Sequence, residues 1–327
     1  MDPKWHIAFL NISITDLAGV TFREYYESPA ATLRAQQRAA EEAERRFGVG
    51  KFVHTSLDIP VPDVTGLFGM RKIFIEDDEL PALDPQSYAF ADMAEFDKVR
   101  VQRPEENAGL ARRVAAWEYY RSQGISVGLG GASGSLVTDA CDVSANAFFP
   151  ALIDDPVRAR RLMELVTETD LAIREWSRAV SGASAGHYIG DDFAGLMSPA
   201  MFREFVVPCY ERIYAGASSR FMHSELLNAE HLQIAKGELG ITYFHGAGAE
   251  KLTLEEMHDV MGNDFCAQLT PQELIDFSPE QIAEAIRVMA NSGADTVQIY
   301  PGRLTPPDHL EAAIAAAQHE CAGGPKW

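Results

Sequence analysis

Cysteine is scarce in this sequence. Its four residues, Cys141, Cys209, Cys266 and Cys321, are widely separated among 327 positions. With no CxxC pair they make neither a disulfide framework nor a zinc knuckle. Positive charge is also short: 28 Lys and Arg stand against 48 Asp and Glu, a formal net charge of −20. Phosphate backbones and anionic membrane surfaces are repelled by such a chain unless it carries a local basic patch, and none is visible, so neither nucleic acid nor membrane is an expected partner. No stretch of about 18 apolar residues occurs, which excludes an expected membrane span. The opening "MDPKWHIAFLNISITDLAG" carries Asp2 and an apolar run broken by Asn11 and Asp16, so it reads as neither signal peptide nor anchor. The expectation is a cytoplasmic protein.

Several motifs are missing as well. "GLGGASGS" (128–135) is glycine-rich but lacks the GxGxxG spacing and the Walker lysine, which leaves at most an anion nest or a close approach to a flat cofactor. There is no HExxH and no repeat of 20 to 50 residues.

What is present is an ordinary globular balance, 46% hydrophobic and 23% charged, enough to build a large core. From about residue 120 short β-branched or aromatic runs alternate with amphipathic helical segments. The expected strands are "ISVGL" (125–129), "GHYIGD" (186–191), "RFMHS" (220–224), "ITYFH" (241–245), "DFCAQ" (264–268) and "TVQIY" (296–300). Ser198-Pro199 reads as a helix start, and Thr253-x-x-Glu256 and Ser278-x-x-Gln281 have capping-box spacing. Upstream, "KFVHTSL" (51–57) is an expected first strand behind a helix from Pro29 to Phe47, with an extended piece at 72–76. Strand–helix alternation gives a parallel sheet. Seven or eight strands favour an α/β fold, a single (β/α)8 TIM barrel domain over 1–327 whose first 50 residues are a helical extension. A doubly wound open sheet is the runner-up.

In such a barrel the reactive face gathers at the C-terminal strand ends. Those ends carry Asp191 and Asp192, His223 with Glu225, His245, Gln268, and Tyr300 followed by Arg303. Each has a structural reading too: Asp191 or Asp192 as a helix cap, His245 as a turn residue, Gln268 as a partner for loop amides, Tyr300 as a rim ring. Their shared placement favours a functional cluster. His223 and Glu225, two apart, point to one side if the strand continues. Imidazole and carboxylate are good zinc ligands, and Cys266, His245 or Asp192 are candidates for the third. Cys266 reads equally as a small buried hydrophobe. The metal-free alternative makes His223 a general acid or base whose tautomer Glu225 fixes.

"GDDFAGLMSPAMFREFVVPCYERIY" (190–214) resembles the signature of the uroporphyrinogen decarboxylase superfamily. The likeness continues through "MHSELLNAEHLQIAKGELGITYFH", "CAQLTPQELIDFSPEQIAEAIRVM" and "YPGRLTPPDHLEAAIAA", and "GLFGMRKIFIEDDELPAL" is similar to the methyltransferase branch. The resemblance implies a (β/α)8 enzyme of one of two kinds. The decarboxylase branch uses an arginine-rich N-terminal segment, where this chain has "AFLNISITDLAG", so a polyanionic tetrapyrrole is poorly served. The other branch moves methyl groups to or from cobalamin, with zinc held by a His-x-Cys pair and a later Cys. Here His223 matches the His, Glu225 replaces the Cys, and Tyr300 or Arg303 stands near the missing last thiolate. The implied activity is a corrinoid-dependent methyltransferase or demethylase. It acts on a small methylated substrate, with cobalamin on a partner corrinoid protein and zinc at His223, Glu225 and Cys266. Asp191, Asp192, His245 and Tyr300 take catalytic or contact roles, Gln268 orients the substrate and Arg303 recognises a substrate carboxylate. The alternative is a metal-free decarboxylase of a tetrapyrrole or aromatic acid.

Overall fold

A computed structural model describes residues 2–183, 187–246 and 251–326. Its strands are β1 (Lys4–Ile7), β2 (Lys72–Ile73), β3 (Ala82–Leu83), β4 (Tyr188–Gly190), β5 (Phe221–His223), β6 (Tyr243–His245), β7 (Phe265–Leu269) and β8 (Thr296–Ile299). The chain forms two compact units. The first takes Met1–Thr21, Ala31–Thr55 and Phe221–Trp327; the second takes Phe22–Ala30 and Ser56–Arg220. The fold class is α/β, of the (β/α)8 TIM-barrel type.

In the first unit the strand order is β1-β8-β7-β6-β5, every pair parallel. Alternation along these strands sorts the side chains by face. Trp5 and Ile7 of β1, Phe244 of β6 and Val297 and Ile299 of β8 are buried apolar groups. The residues between them are the polar ones. Register sets His6 beside Gln298, Gln298 beside Gln268, and His223 beside His245. Helices connect the strands and start where the sequence signals them. Thr253 with Glu256 and Ser278 with Gln281 form complete capping boxes, as expected, and Thr270 with Glu273 and Asn228 with His231 add two more. Each such cap contributes on the order of 1 kcal/mol by satisfying orphan amides.

The second unit centres on the 26-residue helix Pro156–Ser181, capped by Asp155 and ended by Gly182 in the left-handed conformation. It buries Leu162, Met163, Val166 and Ile173 completely. After Ser198, which caps as expected, the chain runs α over Pro199–Met201, π over Phe202–Val206 and α over Val207–Ile213. Pro208 explains the widened turn, because it has no N–H to give the carbonyl of Glu204. Arg160 Nη1 donates to that carbonyl instead, at 3.1 Å.

Two expected strands are not strands. Residues 50–52 form a 3-10 turn and 53–57 pair with no ladder. Residues 125–129 are assigned to no strand, and two of their carbonyls are taken by side chains of the helix Ala108–Ser122: Trp117 Nε1 donates to Val127 O at 3.0 Å and Arg113 Nη1 to Leu129 O at 3.5 Å. Conversely β1 lies inside the stretch expected to be only a helical extension. The helices Asn11–Ala18 and Pro29–Phe47 follow it. Gly186, expected to open β4, lies outside the described residues.

Candidate functional site

The polar face of the first unit converges on two imidazoles. His223 closes β5 and His245 closes β6, with Nδ1 of each 2.8 Å from the other. His223 Nδ1 is also 3.1 Å from the His245 carbonyl oxygen. A carbonyl only accepts, so His223 Nδ1 carries the hydrogen, and His245 Nδ1 is then an unprotonated acceptor. His245 is neutral, its pKa lowered to about 3, first by burial and then by the nearby His223; a hydrogen bond with Gln268 opposes the shift. Its proton therefore sits on Nε2 and is donated to the side-chain oxygen of Gln268. Gln298 Nε2 stands 3.2 Å from His245 Nε2 and donates to Gln268 Oε1 at 2.5 Å. The cluster is a hydrogen-bonded chain on four adjacent strands, β5 to β8, with a neutral imidazole at its centre.

Tyr300 follows β8 and donates its backbone N–H to Leu269 O. Burial raises its hydroxyl pKa, and the Glu225 carboxylate raises it further, so these two side chains share one neighbourhood. Glu225 is exposed and Arg303 half-buried in the loop after Gly302. The next residue, Leu304, is held at φ 67° with its side chain 78% exposed.

Cys266 does not join His223 and Glu225. It is buried, its thiol hydrogen points to Ala267 O at 3.6 Å, and burial pushes its pKa up to about 12. A zinc ligand must be a thiolate. Among the described residues no group of three His, Cys, Asp or Glu is arranged to hold a metal ion, and the Nδ1 atoms of His223 and His245 are engaged with one another. The donor set His223, Glu225 and Cys266 therefore does not fit zinc. Cys266 behaves as the small hydrophobe that is the commoner fate of a buried thiol.

Asp191 and Asp192 belong to the second unit. Asp191 is fully buried, and its carboxylate accepts from Val137 N at 2.6 Å, Thr138 N at 3.2 Å, Thr138 Oγ1 at 2.9 Å and Tyr210 OH at 2.8 Å. It closes the N-terminus of the helix Leu136–Val143, an internal capping role. Burial holds its pKa at about 6 despite these donors. Asp192 is half-buried, and its charge adds to the burial that pushes Tyr188 up to about 12.

A cavity of about 340 Å³ opens against the histidine cluster. Its inner wall is formed by His245, Cys266, Thr296 and Gln298, and the exposed His54 and Lys326 stand at its mouth. Phe221, Tyr243 and Thr296 are the first residues of β5, β6 and β8. The cavity thus enters from the starts of the strands and meets the strand-end group at His245. Sequence reasoning missed Gln298, His6 and Lys326. Gln298 was visible as an amide between Val297 and Ile299 within an apolar strand.

Comparison with known proteins adds a family and a fold. The model of the family "Uroporphyrinogen decarboxylase (URO-D)" matches residues 9–269. Among solved structures, a methyltransferase from Methanosarcina mazei is similar at a TM-score of 0.71 and 16% identity, over 97% of this chain and 94% of that one. No curated protein matches the sequence significantly.

Proposed function

The chain belongs to the uroporphyrinogen decarboxylase (URO-D) family, and we propose that within it this protein is a corrinoid-dependent methyltransferase or demethylase acting on a small methylated substrate. The carrying observation is a neutral His245 at the centre of the cluster, bonded to His223 and to Gln268, which Gln298 holds in turn. A tetrapyrrole polycarboxylate needs several cations at its site. The adjoining cavity offers one, Lys326, already paired with Asp295 at 3.2 Å, and its volume suits a small molecule. The methyltransferase fold neighbour supports the same reading.

In this reading the second substrate is a corrinoid carried by a partner protein. The methyl group leaves the heteroatom of the small substrate in line, and the chain's task is to hold the donor and to neutralise the charge that develops on that heteroatom. His223 is the proton donor. Protonated on Nε2, it keeps its Nδ1 hydrogen on His245, whose neutral ring accepts it and steadies the imidazolium. Gln268, held by the Gln298 amide, fixes the His245 tautomer. Tyr300 orients the substrate, and Arg303 meets any carboxylate it bears. No step passes through zinc, because the donors do not suit it.

The test is anaerobic mixing of the protein with cob(I)alamin and a panel of methyl ethers, methylamines and methyl thioethers, followed by absorbance. Protein-dependent methylation of the corrinoid, lost in His223→Ala, supports the proposal. Release of carbon dioxide from an aromatic acid, with no corrinoid change, would replace it by the decarboxylase alternative.

A further inference from the structure

The cavity that reaches the cluster from the strand starts has a wall chemistry of its own. Five of its nine lining side chains are rings. Phe221 and Tyr243 stack at 5.4 Å with planes 22° apart, and His6 and His54 stack at 5.9 Å with planes 12° apart. A wall of ring faces and edges rewards a flat, polarisable guest over a puckered one of equal size. An apolar cavity of about 150 Å³ admits benzene, so about 340 Å³ holds one substituted ring or two fused ones.

Charge is largely unavailable there. The Lys326 ammonium is committed to Asp295 at 3.2 Å and to the Thr296 hydroxyl at 3.0 Å. Cys266 keeps its proton, and His245 stays neutral. One hydrogen-bonding group is nevertheless poised. His6 Nδ1 is 3.2 Å from the carbonyl oxygen of Lys326, an acceptor, so its hydrogen lies on that nitrogen. Burial lowers the His6 pKa, so the ring is neutral and Nε2 keeps a lone pair. The residue is half-buried and lines the cavity. A guest with a hydroxyl donor satisfies it.

We propose that this cavity is a binding site for a small uncharged aromatic molecule bearing a hydroxyl group, the phenol class, with its ring among Phe221, Tyr243 and the imidazoles and its hydroxyl donating to His6 Nε2. The assignment does not depend on methyl transfer being the reaction.

Calorimetric titration of the full chain with phenol, cyclohexanol and benzoate tests it. Phenol is expected to bind with one-to-one saturation, at least about tenfold tighter than cyclohexanol, which lacks the flat face, and than benzoate, which brings a charge. His6→Phe keeps a ring but removes the acceptor, and is expected to weaken phenol about tenfold while leaving toluene unchanged. Equal affinity for phenol and cyclohexanol, tighter binding of benzoate, or an unchanged phenol affinity in His6→Phe overturns the proposal. If that variant does not fold, nuclear Overhauser contacts in the unmodified protein decide. Contacts from phenol to the Tyr243 and His6 rings support the site, and phenol bound without them, or not bound, refutes it.

Discussion

His223 and His245 share a single hydrogen between their Nδ1 atoms, which are 2.8 Å apart. Placing a second hydrogen there sets two N–H groups against one another, so the pair has one neutral member by construction. Burial decides that this member is His245. The same geometry denies His245 a second proton.

The first prediction concerns stability and pH. His245 has a pKa of about 3 in the folded protein against 6.5 for a free side chain. Below pH 6.5 the unfolded chain binds a proton here that the folded protein refuses. Stability is therefore lost as pH falls from 6.5 towards 3, at up to about 1.4 kcal/mol per pH unit, and this group costs nothing above 6.5. Urea unfolding between about pH 7 and pH 5 reads the slope. His245→Gln is expected to flatten that component, and an undiminished slope in the variant would show that another group is responsible.

The second prediction is kinetic. If His223 donates the proton, His223→Ala should lower kcat by about 10²- to 10⁴-fold, with an unchanged circular dichroism spectrum. His223→Asn should do nearly as much damage, because an amide does not cycle a proton. A substrate whose leaving group needs no protonation should be spared. Equal losses on both kinds of substrate would mean that His223 positions the substrate rather than serving as its acid.

Which parts were legible in the sequence follows from where the signals are local. Capping boxes such as Thr253 with Glu256 are contained in four residues, and the strands at 221–223, 243–245, 265–269 and 296–299 stand out as short apolar runs between such signals. β1 is different: "KWHI" becomes a strand only because β8, some 290 residues later, supplies its ladder. "ISVGL" has equally good strand residues, yet Trp117 and Arg113 occupy its carbonyls. The site divides in the same way. Strand alternation puts His223, His245 and Gln268 on one face, which a sequence reveals. That Cys266 is buried and that the Asp191 carboxylate closes a helix end are facts of packing at long range.

The third prediction separates Cys266 from metal binding. A buried thiol with its pKa near 12 should resist alkylation in the native protein at neutral pH and react only on unfolding. Cys266→Ala removes one buried heavy atom and should cost about 1 kcal/mol. Any zinc that copurifies should be retained by the variant in full. Stoichiometric zinc in the unmodified protein that vanishes on Cys266→Ala would restore the thiolate as a ligand.

Asp191 gives the last. Its carboxylate is the acceptor for two backbone N–H groups, Val137 and Thr138, and for the hydroxyls of Thr138 and Tyr210. Asp191→Ala leaves these donors in an interior that water does not reach, and each unmet buried donor costs about 1–3 kcal/mol. The loss is partly offset, because a carboxylate whose pKa burial has raised to about 6 no longer has to be held charged. A net destabilisation of about 2–4 kcal/mol follows, with a lower Tm, while catalysis by the fraction still folded is retained. Thermal melts and assays well below the variant's Tm separate the two roles. A variant with the parental Tm and no activity would move Asp191 from the helix cap to the substrate.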